Sequence, residues 1–297
     1  MTQRTIRGGL MASALLTLAA LGAAPALSAP AIQPESNASQ PAADLPSGKE
    51  VIDHFIEAIG GAKAIKKHKS MQIKGSFAMP SQGMEASLLI RSAAPNLFLL
   101  TIDMADIGQV RQGYNGTVGW SIDFMAGPRL VSKAEMPELI RQADFYAELN
   151  YDKHFKTIET VGKEQFNERP CYKVRLVDAA DKETFQYFDS ETGLLAGSEG
   201  VQETQMGPIK VKTLIDEYKD FDGRKVAVKT TQKVMGAEQV FTIESIEFDT
   251  VPKETFELPV EIKTLVKAES EKQGQDQGDE SDENDGDDDD DGDDGGG

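Results

Sequence analysis

CYKVRLVDAADKETFQYFDSETGLL, residues 171–195, reads as a strand, a turn, a second strand and another turn, and carries no obvious catalytic group. The same rhythm extends outward in both directions. Toward the C-terminus, strands are expected near 194–205, 208–218, 226–235 and 239–248, with turns at Gly207-Pro208, Asp222-Gly223 and Gly236-Ala237. Toward the N-terminus lies a strand near 156–162, and further back SMQIKGSFAM (70–79), MEASLLIRSA (84–93), LFLLTIDM (97–104), IGQVRQGYN (107–115) and TVGWSID (117–123). Many short strands separated by Gly, Pro, Asn and Asp turns argue for an antiparallel sheet wound into a barrel or half-barrel. Two segments read as helices. KEVIDHFIEAIGG (49–61) sets Val51, Ile52, Phe55, Ile56 and Ile59 at helical spacing before a Gly60-Gly61 stop. SKAEMPELIRQADFYAELN (132–150) is helical by composition, with Ser132 and Glu135 spaced as a capping box. Two helices are too few to cover a flat sheet of this size. The fold class is therefore α+β: a strongly curved antiparallel sheet, an open half-barrel, with its helices plugging or covering the concave side.

The ends of the chain differ in kind from its middle. Arg4 and Arg7, an apolar run from Leu10 to Leu21 and then Ala26-Leu27-Ser28 have the layout of a secretory signal peptide, expected over 1–28. The run is about a dozen residues, short of the ~20 that span a bilayer. Residues 29–48, rich in Pro, Ala and Ser, read as a flexible leader. From Ala268 onward fifteen acidic residues face one lysine, so this end carries −14 of the chain's −19. Such a segment cannot bury apolar surface, and 267–297 is expected to be a disordered acidic tail. The folded domain is left as 49–266. The charge balance argues against nucleic acid, because no basic stripe exists to release counterions from phosphates, and limits membrane contact to transient encounters. A single Cys171 excludes an internal disulfide. The expected location is outside the cytoplasm, in soluble form.

Several stretches in order, FIEAIGGAKAIKKHKSMQIKGSF, YNGTVGW, VGKEQFNERPCYKVRL, YFDSETGLL and DEYKDFDGRKVAVKTTQ, resemble bacterial exported domains of the outer-membrane lipoprotein-carrier type, the LolA/LolB-like superfamily. The resemblance spans roughly 50–260 and rests on turns, a Gly-Gly helix stop and a Gly-Trp pair. It implies a strongly curved antiparallel sheet closed on one side by helices, and an interior that holds acyl chains. The length and the Asp-rich end depart from the typical carriers.

A soluble carrier of an acyl chain of about fifteen methylenes must recover roughly 12 kcal/mol, at ~0.8 kcal/mol per CH₂. That calls for a concave apolar pocket of several hundred Å³. Met71, Met79, Met84 and Met104, adaptable side chains, fall in the first strands beside Phe77 and Phe98. With Ile73, Leu88, Leu100 and Trp120 they form the expected apolar groove. No HExxH, CxxC or GxSxG spacing occurs, and no cofactor or metal is called for. His54, His68 and His154 read as surface or loop histidines, Asp152 near His154 is a weak signal for a base, and Cys171 reads as a buried small apolar residue. The sequence thus points to an exported, non-enzymatic binding protein for a lipid or a lipidated protein. The alternative is an envelope structural or interaction protein, with a protein partner and no small-molecule ligand.

Overall fold

Alternation of side chains fixes the sheet, because residues two apart in a strand share a face. The computed structural model describes residues 45–204 and 207–276. The expected signal peptide, most of the leader and the acidic tail beyond residue 276 lie outside those residues. Thirteen strands form one antiparallel sheet: β1 Ser70–Met79, β2 Met84–Ala93, β3 Leu97–Met104, β4 Gly108–Tyr114, β5 Gly119–Asp123, β6 Gly127–Leu130, β7 Thr157–Phe166, β8 Arg169–Val177, β9 Glu183–Asp189, β10 Leu195–Thr204, β11 Gly207–Phe221, β12 Arg224–Val234 and β13 Ala237–Phe248. Their spatial order is β6-β5-β4-β3-β2-β1-β13-β12-β11-β10-β9-β8-β7. Two meanders, one from each half of the chain, thus meet at the β1/β13 seam, where Met71 faces Phe248 and Ala78 faces Val240. The sheet is curved and unclosed. Laid flat at ~4.8 Å per strand its outer edges would stand about 58 Å apart.

Chain between β6 and β7 crosses the concave face. It holds α3 (Met136–Ala143), a 3₁₀ turn at Ala147–Leu149 and α4 (Tyr151–His154), where the composition suggested one continuous helix. Asp144 breaks it. Its backbone is extended, and its carboxylate accepts the Tyr146 N–H at 3.0 Å and the Asn150 side-chain amide at 2.8 Å, bonds that a helix interior does not offer. The Ser132–Glu135 pair does bond reciprocally, at 3.1 and 3.3 Å, in the turn that leads into α3. Phe145 N–H donates to Pro95 O at 3.0 Å and ties the crossing segment to the β2–β3 turn.

The N-terminal helix is α1 (Gly48–Ala58), and it begins with a capping box between Ser47 and Glu50. It ends at the expected Gly-Gly, and a further short helix, α2 (Gly61–Ile65), follows at once. Gly60 has φ 116°, and a Cβ there would lie 2.2 Å from Gly223 O, so only glycine fits this junction. The apolar stripe of α1 (Val51, Ile52, Phe55) packs with Val174, Leu176 and Phe188 from β8 and β9. A second cluster joins the inward residues of β1–β4 to Leu139 and Ala143 of α3. Each such buried side chain contributes ~1.5–3 kcal/mol.

Beyond β13 the chain turns back over the convex face. A 3₁₀ turn at Lys253–Phe256 touches β3, and α5 (Val260–Asp276) packs on β6. This explains why LFLLTIDM is apolar on both sides: Leu97 and Leu99 face outward yet are only partly exposed. Helix α5 also runs ten residues into the stretch read from composition as the start of the tail. At the seam, Asp249 accepts the backbone N–H of Lys69 (2.7 Å) and Ser70 (3.2 Å). His68, the loop histidine, bridges Asp249 (2.7 Å) and Asp222 (3.0 Å) while stacked on Phe248 with ring centres 3.8 Å apart.

Candidate ligand-binding cavity

Between the concave face and the crossing segment lies a hollow of about 150 Å³. Its apolar side is built by Ile73 (β1), Leu88 (β2), Phe98 (β3), Ile215 (β11), Ala227 (β12) and Phe241 (β13). Its other walls are mixed, with Ala147 and Phe155 of the crossing segment and Val211 of β11 set among polar groups. Glu138, Arg141, Glu148 and His154 enter from the crossing segment, and Thr184, Gln186, Ser198 and Thr213 from β9, β10 and β11. The hollow is smaller than the several hundred Å³ expected for a whole acyl chain, and comparable to a cavity that takes up benzene.

The ten groove candidates are placed unevenly. Ile73, Leu88 and Phe98 line the hollow. Met71, Phe77, Met79, Leu100 and Met104 share the concave face but are packed into the cluster beside it, each at most 3% exposed. Met84 is partly buried against the same cluster. Trp120 is buried on the opposite face. It pairs with Gly113, which pairs with the outward Leu99, whereas inward Phe98 pairs with Tyr114. A Cβ at Gly113 would sit 2.5 Å from Trp120 Cζ2, which places the indole flat over that glycine. One step of strand parity separates Trp120 from the groove.

Each ionisable group of the wall has a partner. Arg141 pairs with Glu138 and lies 5.2 Å above the Phe155 ring. Glu148 pairs with Arg224 at 3.0 Å, with both side chains under one-tenth exposed. His154 Nε2 lies 2.8 Å from Asp144, and the Asp152 anticipated beside it in sequence takes no part. Burial opposes the charge on Asp144, but bonds from His154, Asn150 and the Tyr146 amide outweigh it and hold the carboxyl below the usual carboxylate range. Burial also pushes Arg224 below the ordinary guanidinium range and raises the Tyr151 phenol, whose O–H donates to Gln186 Oε1 at 2.8 Å. Cys171 is fully buried in a separate cluster with Phe166 and Tyr187, and burial pushes its thiol up to about 12.

No protein-family model matches the sequence, and neither does any curated protein. Solved structures do match in shape. A DUF1329 family protein from Desulfovibrio piger superposes with a TM-score of 0.51 at 12% identity, over 70% of this chain and 96% of that one. A LolA superfamily protein from Nitrosomonas europaea gives 0.51 at 10% identity, over 72% and 99%. This is the LolA-type fold. A putative outer membrane lipoprotein-sorting protein domain from Vibrio parahaemolyticus also superposes, with a TM-score of 0.50 at 12% identity over 70% and 96%. Within the LolA-type shell of this chain, strand alternation in the first half had pointed to Ile73, Leu88 and Phe98, whereas Ile215, Ala227 and Phe241 of the second half were not among the candidates. Nor were the polar members. Glu138, Arg141 and Glu148 sit in a segment whose helical pattern says nothing of what it crosses, and Gln186 becomes inward-facing only once the register of β9 is known.

Proposed function

We propose that this chain is an exported, non-enzymatic binding protein that encloses the apolar part of a lipid or a lipidated protein. The hollow between the concave face and the crossing segment carries this reading, because it joins an apolar floor to a cover in which Phe155 sits among the polar groups Glu138, Arg141, Glu148 and His154. The lipoprotein-sorting name of the Vibrio parahaemolyticus domain supports the same class of cargo. Among the described residues no helix is long and apolar enough to cross a membrane, in keeping with transient membrane contact. With 136–155 in place the hollow takes a fragment of roughly benzene size. A longer chain extends out of the hollow's mouth, while the Glu148–Arg224 and Tyr151–Gln186 contacts keep the segment in place.

Native mass spectrometry of protein secreted by its own host tests the reading, and a bound lipid mass is expected. In parallel, the neutral dye N-phenyl-1-naphthylamine should brighten on binding, and Ala227→Leu, which fills the floor, should abolish the signal while circular dichroism stays native. An empty protein that also ignores the dye would leave an envelope interaction protein as the better account.

A further inference from the structure

A row of uncharged polar side chains runs across the inside of the sheet. Gln186 pairs with Ser198, Ser198 with Thr213, Thr213 with Gln232, and Gln232 with Gln239, on five successive strands from β9 to β13. The first four line the hollow. The neighbouring inward row is largely apolar, with Ile215, Thr230 and Phe241 in register. Gln186, Gln232 and Gln239 are 6, 3 and 2% exposed, where an aliphatic side chain would avoid a burial cost of ~1–3 kcal/mol per amide. Tyr151 donates to the Gln186 Oε1, so what the Gln186 side chain still has to offer is its amide N–H donors.

The charged groups of the wall are already neutralised. Arg141 faces Glu138, Arg224 faces Glu148, and His154 faces Asp144. A carboxylate, phosphate or ammonium brought into this hollow would be desolvated without a counter-charge, unless it broke one of these pairs. An ester, amide or hydroxyl meets hydroxyls and amides of its own kind. The geometry points to a guest whose polar group is uncharged: a neutral amphiphile, such as an acyl ester, with its apolar end on Ile73, Leu88 and Phe98 and its polar group against Ser198 and Thr213. This assignment rests on the binding function proposed above and adds the chemical class of the guest.

Competition against N-phenyl-1-naphthylamine by three probes sharing an eight-carbon chain tests it: 1-monooctanoylglycerol, octanoate and octylammonium at neutral pH. Half-displacement by the glyceride is expected at a concentration at least tenfold below that for either ion. Thr213→Val should shrink that preference to less than threefold, and Thr213→Ser should restore it, with thermal melts confirming that each variant is folded. Octanoate or octylammonium competing as well as the glyceride would overturn the assignment while leaving the binding function standing. A preference untouched by Thr213→Val would also overturn it and make the row a purely structural ladder. Failure of the dye itself to bind would sink the binding function, and the assignment with it.

Discussion

Arg224 Nη2 lies 3.0 Å from Glu148 Oε1, with side chains 7% and 5% exposed, and this pair joins the start of β12 to the segment that covers the hollow. A buried pair is costly to break on one side only, since the partner charge stays behind unpaired. Glu148→Gln is therefore expected to lower stability by about 3–5 kcal/mol in urea unfolding. Replacing both members, as Glu148→Leu with Arg224→Met, should recover most of that loss. A single variant with an unchanged unfolding midpoint would show that the pair does not hold the segment down.

Asp144 gives a pH dependence of defined sign. Its carboxyl titrates below its unfolded value of about 3.9, so its contribution is fully present above that pH. The contribution falls away as the pH drops from about 3.9 through the folded value, because the unfolded chain binds the proton first. Asp144→Asn should be less stable than wild type at pH 7 and show a shallower decline in stability below pH 4. Unfolding curves at pH 7, 5, 4 and 3 compare the two slopes directly.

Gly113 and Trp120 provide an optical test of strand parity. A methyl group at position 113 would meet the indole at 2.5 Å, so Gly113→Ala must displace the ring. Overpacking of this sort costs about 1–3 kcal/mol. The expected outcome is a red-shifted emission from the single tryptophan and a lower melting temperature. Because Trp120 lies on the far side of the sheet from the hollow, dye binding should leave its emission maximum where it was.

Asp249 supports the first residues of β1 through two backbone bonds. Asp249→Ala hands those N–H groups to water and should cost about 0.5–1.5 kcal/mol. Hydrogen exchange is expected to speed up at Lys69 and Ser70 before it does so elsewhere in β1.

How far the molecule could be read in advance depended on the range of the interaction concerned. Strand positions from 157 to 248 were legible because turns such as Asp222-Gly223 punctuate an alternating pattern, a signal a few residues long. The curvature was legible as well, since two helices cannot cover a flat sheet of this size. Trp120 was misplaced relative to the groove because its facing depends on the pairing of Gly113 with both neighbours, which no local pattern encodes. The break at Asp144 escaped notice because its bonds to Tyr146 and Asn150 form only once the chain has left the helix, in a segment whose composition favours helix throughout. The polar row from Gln186 to Gln239 exists only as a register of five strands, so nothing in any one of them announces it.

The seam between β1 and β13 has a consequence for biogenesis. It couples residue 71 to residue 248, nearly the full span of the domain. A nascent chain halted before Ala237 would own two separate ribbons, each with a raw edge available to any passing strand. Completion of the shell must therefore wait for the last strand to arrive. Interruption of synthesis at that stage should favour aggregation over a smaller but orderly version of the protein.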